Sequence, residues 1–297
     1  MSTSELDQVT VICVTYHSRA LVDGLCETLR HFPHVIVIDN GSGDGTIEAL
    51  RERLPHAKLI ARDSNAGFAR ANNQAMREVH TPLALLLNPD SDIEPADVLK
   101  LKDTLERYPN TAIVAPQSWR KGNVPQMCFR PAFYEYPPSK PYRVPDGTCC
   151  AKWLHGCCLL IDTGKFRQVG GFDEYFFLYY EDDDLCLRLQ RQGYACLFEP
   201  GANARHIGGG SSKATLRIRF TKHFHYARSR HWAIRRYQGL WAARWYLAKT
   251  VLSALIVVPL YGLLGRRKHA IKWMAWGCSA FMSAVKSASW SSRPQTI

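Results

Sequence analysis

The sequence predicts an α/β fold: a mostly parallel, Rossmann-like sheet with helices on both faces, followed by a helical C-terminal extension. Three observations carry the prediction. Short segments that are apolar throughout alternate with segments of helical periodicity, the pattern of parallel strands buried on both faces. Polar motifs follow three of the apolar segments directly, at the edge where open parallel sheets bind ligands. From Arg205 onward there are 17 Lys and Arg and no Asp or Glu, whereas the preceding chain holds 21 basic residues against all 26 acidic ones. A mildly acidic body gives way to a strongly basic tail, so we divide the chain into residues 1–215 and 216–297.

The elements follow in order. Val9–Thr15 reads as a buried strand, and the spacing of Leu21, Leu25 and Leu29 predicts a helix over Ala20–Phe32. Val35–Asp39 is a second strand, stopped by Asn40-Gly41. A helix over Thr46–Leu54 leads to a short strand, Lys58–Ala61, and a helix over Phe68–Val79 leads to the most apolar strand, Pro82–Leu87. Pro95 is pre-set for the first turn of a helix reaching Tyr108, and Thr111–Ala115 is the next strand. Gly122–Gly147, rich in Pro and aromatic residues, reads as a long loop beside the site. Regular structure returns at Trp153–Ile161. A helix ended by Gly193 and a strand over Ala195–Glu199 close the body.

Composition narrows the class. A hydrophobic content of 46% supports a sizeable core and argues against disorder. The polar segment Met1–Gln8 is no charged-then-apolar leader, so the body is expected in the cytoplasm. The ten cysteines show no C-x-x-C spacing; Cys13, Cys157, Cys158 and Cys196 lie in apolar runs and read as reduced, buried thiols. The vicinal pairs Cys149-Cys150 and Cys157-Cys158 are atypically spaced for zinc.

Five motifs carry chemistry. Asp39 ends the second strand before Asn-Gly-Ser-Gly-Asp-Gly; it suits either a hydrogen bond from a pyrimidine N3–H or an Asx turn. Asn65-Ala-Gly-Phe-Ala-Arg70 opens a helix, with Gly67 able to bring backbone N–H groups to an anion and Arg70 able to reach a phosphate. In Asn88-Pro89-Asp90-Ser91-Asp92, two carboxylates at spacing two suit a hard cation, Mg2+ or Mn2+, that completes its shell with diphosphate oxygens. Asp92 could instead cap the following helix. Glu181-Asp182-Asp183-Asp184 is tolerable at a helix N-terminus, where the dipole favours negative charge. An acid there, desolvated by the preceding aromatic run, could serve as a general base; a solvated first turn is the plainer reading. His206, before Ile-Gly-Gly-Gly-Ser-Ser, is either structural or a metal or diphosphate contact.

Taken together and in this order, the motifs resemble the inverting family 2 glycosyltransferases of GT-A fold, most of all the rhamnosyltransferase-like branch that builds bacterial cell-surface polysaccharides. The matching pieces are Val-Thr-Tyr-His-Ser at 14–18, Val-Ile-Asp-Asn-Gly-Ser at 37–42, Asn65 through Asn72, Leu-Leu-Asn-Pro-Asp at 86–90, Phe172 through Leu185, and His206 with its Gly-Ser run. The resemblance covers about residues 9–235. It implies that Thr15, Tyr16, Asp39, Asn65, Gly67, Arg70, Asn88 and Asp90 contact a nucleoside-diphosphate sugar, with Asp39 on the base. Deoxythymidine-diphosphate rhamnose is the implied donor, and a uridine-diphosphate sugar the alternative. Asp90 would hold the metal with Asp92 and His206, Asn88 standing where the family has the first carboxylate of D-x-D. Asp182 would be the base, with Glu181 and Asp184 in reserve. Trp153, His155 and Gly156 would line the acceptor side. The implied reaction is a single displacement with inversion through an oxocarbenium-like transition state.

Thr250–Gly265 is free of charge and is followed by Arg266-Arg267-Lys268; Trp273–Val285 is a second, shorter apolar stretch. Six of eight tryptophans lie beyond Arg205. Short apolar segments beside basic clusters and Trp predict helices lying in an anionic membrane surface, at the cytoplasmic face, where a polyprenyl-linked or other glycan acceptor would be met. A core-packing helical subdomain is the alternative. Nucleic-acid binding is disfavoured, because the long apolar runs make a poor surface for a polyanion. A sugar nucleotidyltransferase would need a glycine- and basic-rich loop that Val14–Ser18 lacks. A non-catalytic binding module is the remaining class.

Overall fold

A computed structural model describes residues 3–135, 142–206 and 215–287. The Gly-Ser run after His206 and Trp290 lie outside the described residues. The chain divides into two compact units: Met1–Glu174 with Glu181–Ser212, and Tyr175–Tyr180 with Lys213–Ile297.

The first unit runs β1 (Val9–Thr15), α1 (Val22–Leu29), β2 (His34–Asp39), α2 (Thr46–Arg53), β3 (Lys58–Ala61), α3 (Phe68–Arg77), β4 (Leu83–Leu87), β5 (Ser91–Ile93), α4 (Pro95–Arg107) and β6 (Thr111–Arg120). Four short strands follow, β7 (Val124–Pro125), β8 (Phe129–Arg130), β9 (Cys149–Cys150) and β10 (Trp153–Leu154), then β11 (Cys158–Asp162), α5 (Thr163–Gln168), α6 (Glu181–Arg191) and β12 (Ala195–His206). The main sheet has the order β3-β2-β1-β4-β11-β6-β12-β5. Neighbours among β3, β2, β1 and β4 are parallel, as are β6 and β12. The antiparallel members are β11, against both β4 and β6, the edge strand β5, against β12, and the short β7 and β9, against β6 and β12 respectively. Among the described residues no crossover helix lies between β6 and β11, and β11 runs antiparallel to both its neighbours. The segment expected to be one long loop contains β7 and β8.

Alternation along the strands feeds two cores. Val9, Val11 and Cys13 of β1 pack with Leu25 and Leu29 of α1, Leu50 of α2 and Leu101 of α4. Ile12, Ile36, Ile38 and Leu86 pack on the other face with Ala71 and Ala75 of α3 and Leu185 and Leu189 of α6. Because β1, β2 and β4 are parallel neighbours, their carboxyl ends share one rim. Along β12 the register with β6 shifts between Glu199 and Asn203. After this bulge the strand pairs with β5, His206 opposite Ser91, which brings the histidine to the turn that follows β4.

In the second unit α7 (Leu216–Gln238), α8 (Leu240–Leu263) and α9 (Arg267–Ser287) pack together. A Cβ on Gly277 would stand 2.7 Å from that of Ala254, so α8 and α9 touch closely there. Tyr175 packs on Trp232, with ring centroids 4.4 Å apart, under the Arg228 guanidinium. The α8 helix begins ten residues before the charge-free run, at Leu240 rather than Thr250, and is long and apolar enough to cross a membrane. Trp241, Trp245, Leu255, Ile256 and Leu263 are exposed on it.

Candidate active site

The rim is ordered by short side chains that satisfy its turns. Asp39 is buried and accepts from Thr15 Oγ1 at 3.0 Å, from Ser42 N–H at 3.0 Å and from the Ser42 hydroxyl, so the Asx turn forms. Tyr16 is partly exposed beside it. Asn40 donates to Asn65 Oδ1 at 2.9 Å and accepts from Ala66 N–H, while Asn65 Oδ1 also accepts from Gly67 N–H. The chain doubles back so tightly here that a Cβ on Gly41, at φ +79°, would meet the Ser64 backbone at 2.8 Å. Gly67 stands at the N-terminus of α3. Arg70 forms an exposed ion pair with Glu174 at 2.9 Å.

Beyond β4, Ser91 N–H closes a turn on Asn88 O, and Asn88 N–H donates to Cys157 O at 2.9 Å. Asp90 Oδ1 lies 3.4 Å from His206 Nε2. On the other side of that ring, Nδ1 is 2.9 Å from Gln126 Oε1. The Asp92 carboxylate does not join them. It accepts from Thr28 on α1 at 2.9 Å and lines a cleft with Glu94, Asp97, Trp119 and Arg205. The turn at Asn88–Ser91 interrupts strand periodicity, so spacing two does not put both carboxylates at one point. One carboxylate and one imidazole still fit a hard divalent ion that takes one or two protein ligands and fills its shell from diphosphate and water.

The four acids of α6 have four environments. The chain enters the helix through Tyr179 and Tyr180, both left-handed at φ 68° and 69°, a conformation costing about 1–2 kcal/mol per residue. Glu181 is buried, and its Oε2 has no hydrogen-bond partner among the described residues. Burial, and secondarily the Asp182 charge, push its carboxyl far above the usual range. Asp182 is the partly exposed member; its Oδ2 accepts from Gly156 N–H at 3.2 Å and its Oδ1 from Asp183 N–H. Asp183 receives Arg130 at 2.7 Å on both oxygens, and that guanidinium also lies over the Trp153 ring. Burial and the Asp182 charge push Asp183 up to about 8, with Arg130 pulling the other way. Asp184 is fully buried and accepts from Arg188 at 2.7 Å, while Arg188 also donates to Val169 O and Gly171 O. Asp184 thus braces the turn before the aromatic segment.

His155 stands with its ring 5.5 Å from that of His206, and burial pushes its pKa down against the opposing pull of Asp182. Trp153 is buried. Asp90, His155, Gly156, Asp182 and His206 therefore share one neighbourhood, and Asn88 is tied to it through Cys157 O. Gln126, Arg130 and Cys157 also belong to it, although no sequence motif marks them. Their signal is spatial: each touches a residue 29 to 80 positions away.

Glu181→Gln is expected to fold normally and to flatten the pH dependence of stability. Between the ordinary carboxyl pKa of the unfolded chain and the raised folded value, the folded state holds the extra proton. Stability of the wild type therefore falls as pH rises through that window. Chemical denaturation across pH would show the amide variant losing less; parallel curves would mean that Glu181 is already ionised.

The mixed sheet with its ligand edge at β1, β2 and β4 is the GT-A fold. It superposes on a mannosyltransferase from Pyrobaculum calidifontis solved with GDP-Man and Mn2+, with TM-score 0.55 and 17% identity, covering 96% of this chain and 88% of that one. GalNAc-T7, solved with UDP, GalNAc and Mn2+, gives TM-score 0.56 at 13% identity, covering 96% of this chain and 58% of that one. The chain belongs to glycosyl transferase family 2, whose model matches residues 10–168, and is a glycosyltransferase; the model of glycosyl transferase family group 2 matches residues 123–286. An N-acetylglucosaminyl-diphospho-decaprenol L-rhamnosyltransferase of Mycobacterium tuberculosis is 27% identical over 234 residues, 67% of this chain and 76% of the relative. A low-salt glycan biosynthesis hexosyltransferase of Haloferax volcanii is 28% identical over 206 residues, 63% of each chain.

Proposed function

We propose that this glycosyltransferase moves L-rhamnose, with inversion, from deoxythymidine-diphosphate rhamnose to a hydroxyl of a lipid-linked or polysaccharide acceptor in cell-surface glycan synthesis. The observation that carries the reading is the position of Asp182. Of four consecutive acids it is the partly exposed one, held by two backbone N–H groups beside His155, in the neighbourhood of Asp90. The named activity of the mycobacterial relative supports rhamnose and a polyprenyl-linked acceptor.

In the mechanism Asp182 removes the proton of the acceptor hydroxyl. The oxygen then attacks the anomeric carbon from the face opposite the diphosphate, whose bond to that carbon breaks, with the electron pair leaving on the diphosphate. Asp90 and His206, with Asn88 beside them, would hold Mg2+ or Mn2+, which supplies charge neutralisation for the leaving group. Asp39 receives the base N3–H at the floor formed by Thr15 and Tyr16. The first turn of α3, just after Gly67, would meet the phosphates with its N-terminal N–H groups. Arg70 can join them cheaply, because an exposed pair such as the one with Glu174 contributes only about 0–1 kcal/mol. Trp153, His155 and Gly156 line the acceptor side. The exposed apolar residues of α8, next to Arg266-Arg267-Lys268, support attachment to the cytoplasmic face of an anionic membrane.

Thermal melting against a panel of nucleotide sugars, with and without Mg2+ or Mn2+, tests the donor: deoxythymidine-diphosphate rhamnose should give the largest stabilisation. Greater stabilisation by a uridine-diphosphate sugar would redirect the donor assignment. The full chain should also float with phosphatidylglycerol vesicles, and less so at high salt; equal flotation after removal of 216–297 would sink the membrane role of the tail.

A further inference from the structure

We propose that His155, Cys157 and His206 form a binding site for a borderline-soft transition ion of the Zn2+ type. The inference shares His206 with the hard-ion site assigned above and rests on that placement, not on the donor sugar. The ligand atoms of the three side chains all lie within 4.8 Å of one another. A tetrahedral zinc centre, with Zn–N about 2.0 Å and Zn–S about 2.3 Å, has edges of roughly 3.5 Å, so closure needs a contraction of about 1 Å. Imidazole and thiolate are the donors that separate Zn2+ from Mg2+.

Part of the surroundings is already arranged, and His155 would ligate by giving up the Cys157 N–H that now reaches its Nδ1 at 3.3 Å. Cys157 and His206 are buried, and His155 is partly so. Gln126, itself buried, touches both rings: its Oε1 is 2.9 Å from His206 Nδ1 and its amide nitrogen 3.4 Å from His155 Nε2. An amide on Nδ1 leaves His206 Nε2 as the metal-binding nitrogen, on the side where Asp90 Oδ1 stands at 3.4 Å. Cys157 is a free thiol, and a thiol ligates as its thiolate. Binding is therefore an exchange: the S–H bond breaks, a sulfur–metal bond forms, and one proton leaves to solvent. Because one imidazole cannot serve two ions, Zn2+ should compete with Mg2+ or Mn2+ and inhibit transfer reversibly.

Cobalt(II) is the probe. Titrated into the full chain after chelator treatment, it should give the intense visible bands of a tetrahedral centre and a thiolate-to-cobalt charge-transfer band, both displaced by Zn2+. Cys157→Ser should abolish the charge-transfer band, whereas Cys150→Ser, at an exposed thiol, should leave the spectrum unchanged. Gln126→Ala should weaken binding about 10-fold. Absence of the band in the wild type, or its survival in Cys157→Ser, would overturn the proposal. The wild-type spectrum decides the case even if a variant misfolds. Melting with nucleotide sugar and Mg2+ is read separately, so the transferase reading can fail without this one, and the reverse.

Discussion

Asp182→Asn is expected to lower kcat about 10²–10⁴-fold, the contribution of a positioned general base, while leaving the donor KM and the melting temperature near those of the wild type. The amide oxygen can still accept from Gly156 N–H, so the loop and helix should keep their places. What is lost is a group able to take the acceptor's proton. Nucleoside diphosphate release at saturating donor and acceptor measures the effect. Turnover within a few-fold of the wild type would rule Asp182 out. Asp183→Asn is the informative partner variant: it unpairs Arg130, which lies over Trp153, and should therefore raise the acceptor KM more than it lowers kcat.

Asp184→Ala is expected to destabilise the first unit by about 3–5 kcal/mol, the range for removing one partner of a buried ion pair. The Asp184 carboxylate is fully buried and the Arg188 side chain 14% exposed, and among the described residues the variant leaves the guanidinium the Val169 and Gly171 carbonyls. Urea denaturation of full-length protein should show the midpoint fall. A change below 1 kcal/mol would mean that water reaches Arg188 and that the pair is not structural. The contrast with Asp182 is the useful result, since two acids two residues apart should fail in different assays.

Much of this was legible in the sequence, for local reasons. Apolar strands ending in Asp39-Asn40-Gly41 and Asn88-Pro89-Asp90 announced a parallel sheet with a polar rim, because strand burial and turn chemistry are written in adjacent residues. Gly193, at φ 85°, stops α6 as expected. What stayed hidden depends on pairing across long separations. The antiparallel insertion of β11 between β4 and β6 is a long-range pairing that composition does not mark. The spacing of Asp90 and Asp92 suggested a shared ion, yet the turn sends Asp92 to Thr28, 64 residues earlier. The order of the four acids could not be resolved from a run of like residues. Their partners are Gly156, Arg130 and Arg188, only the last of which is a helical neighbour.

That division of labour shapes what variation the protein can carry. Position 181, whose carboxyl is pushed well above its usual range by burial, should accept Gln. Position 182, as the proposed base, should admit no substitute at full turnover. Positions 183 and 184 are each half of a pair, so exchanges with 130 or 188 should restore what single changes remove. Four adjacent codons would then show four unlike tolerance profiles in a saturation library, and their covariation would point to different places in the fold.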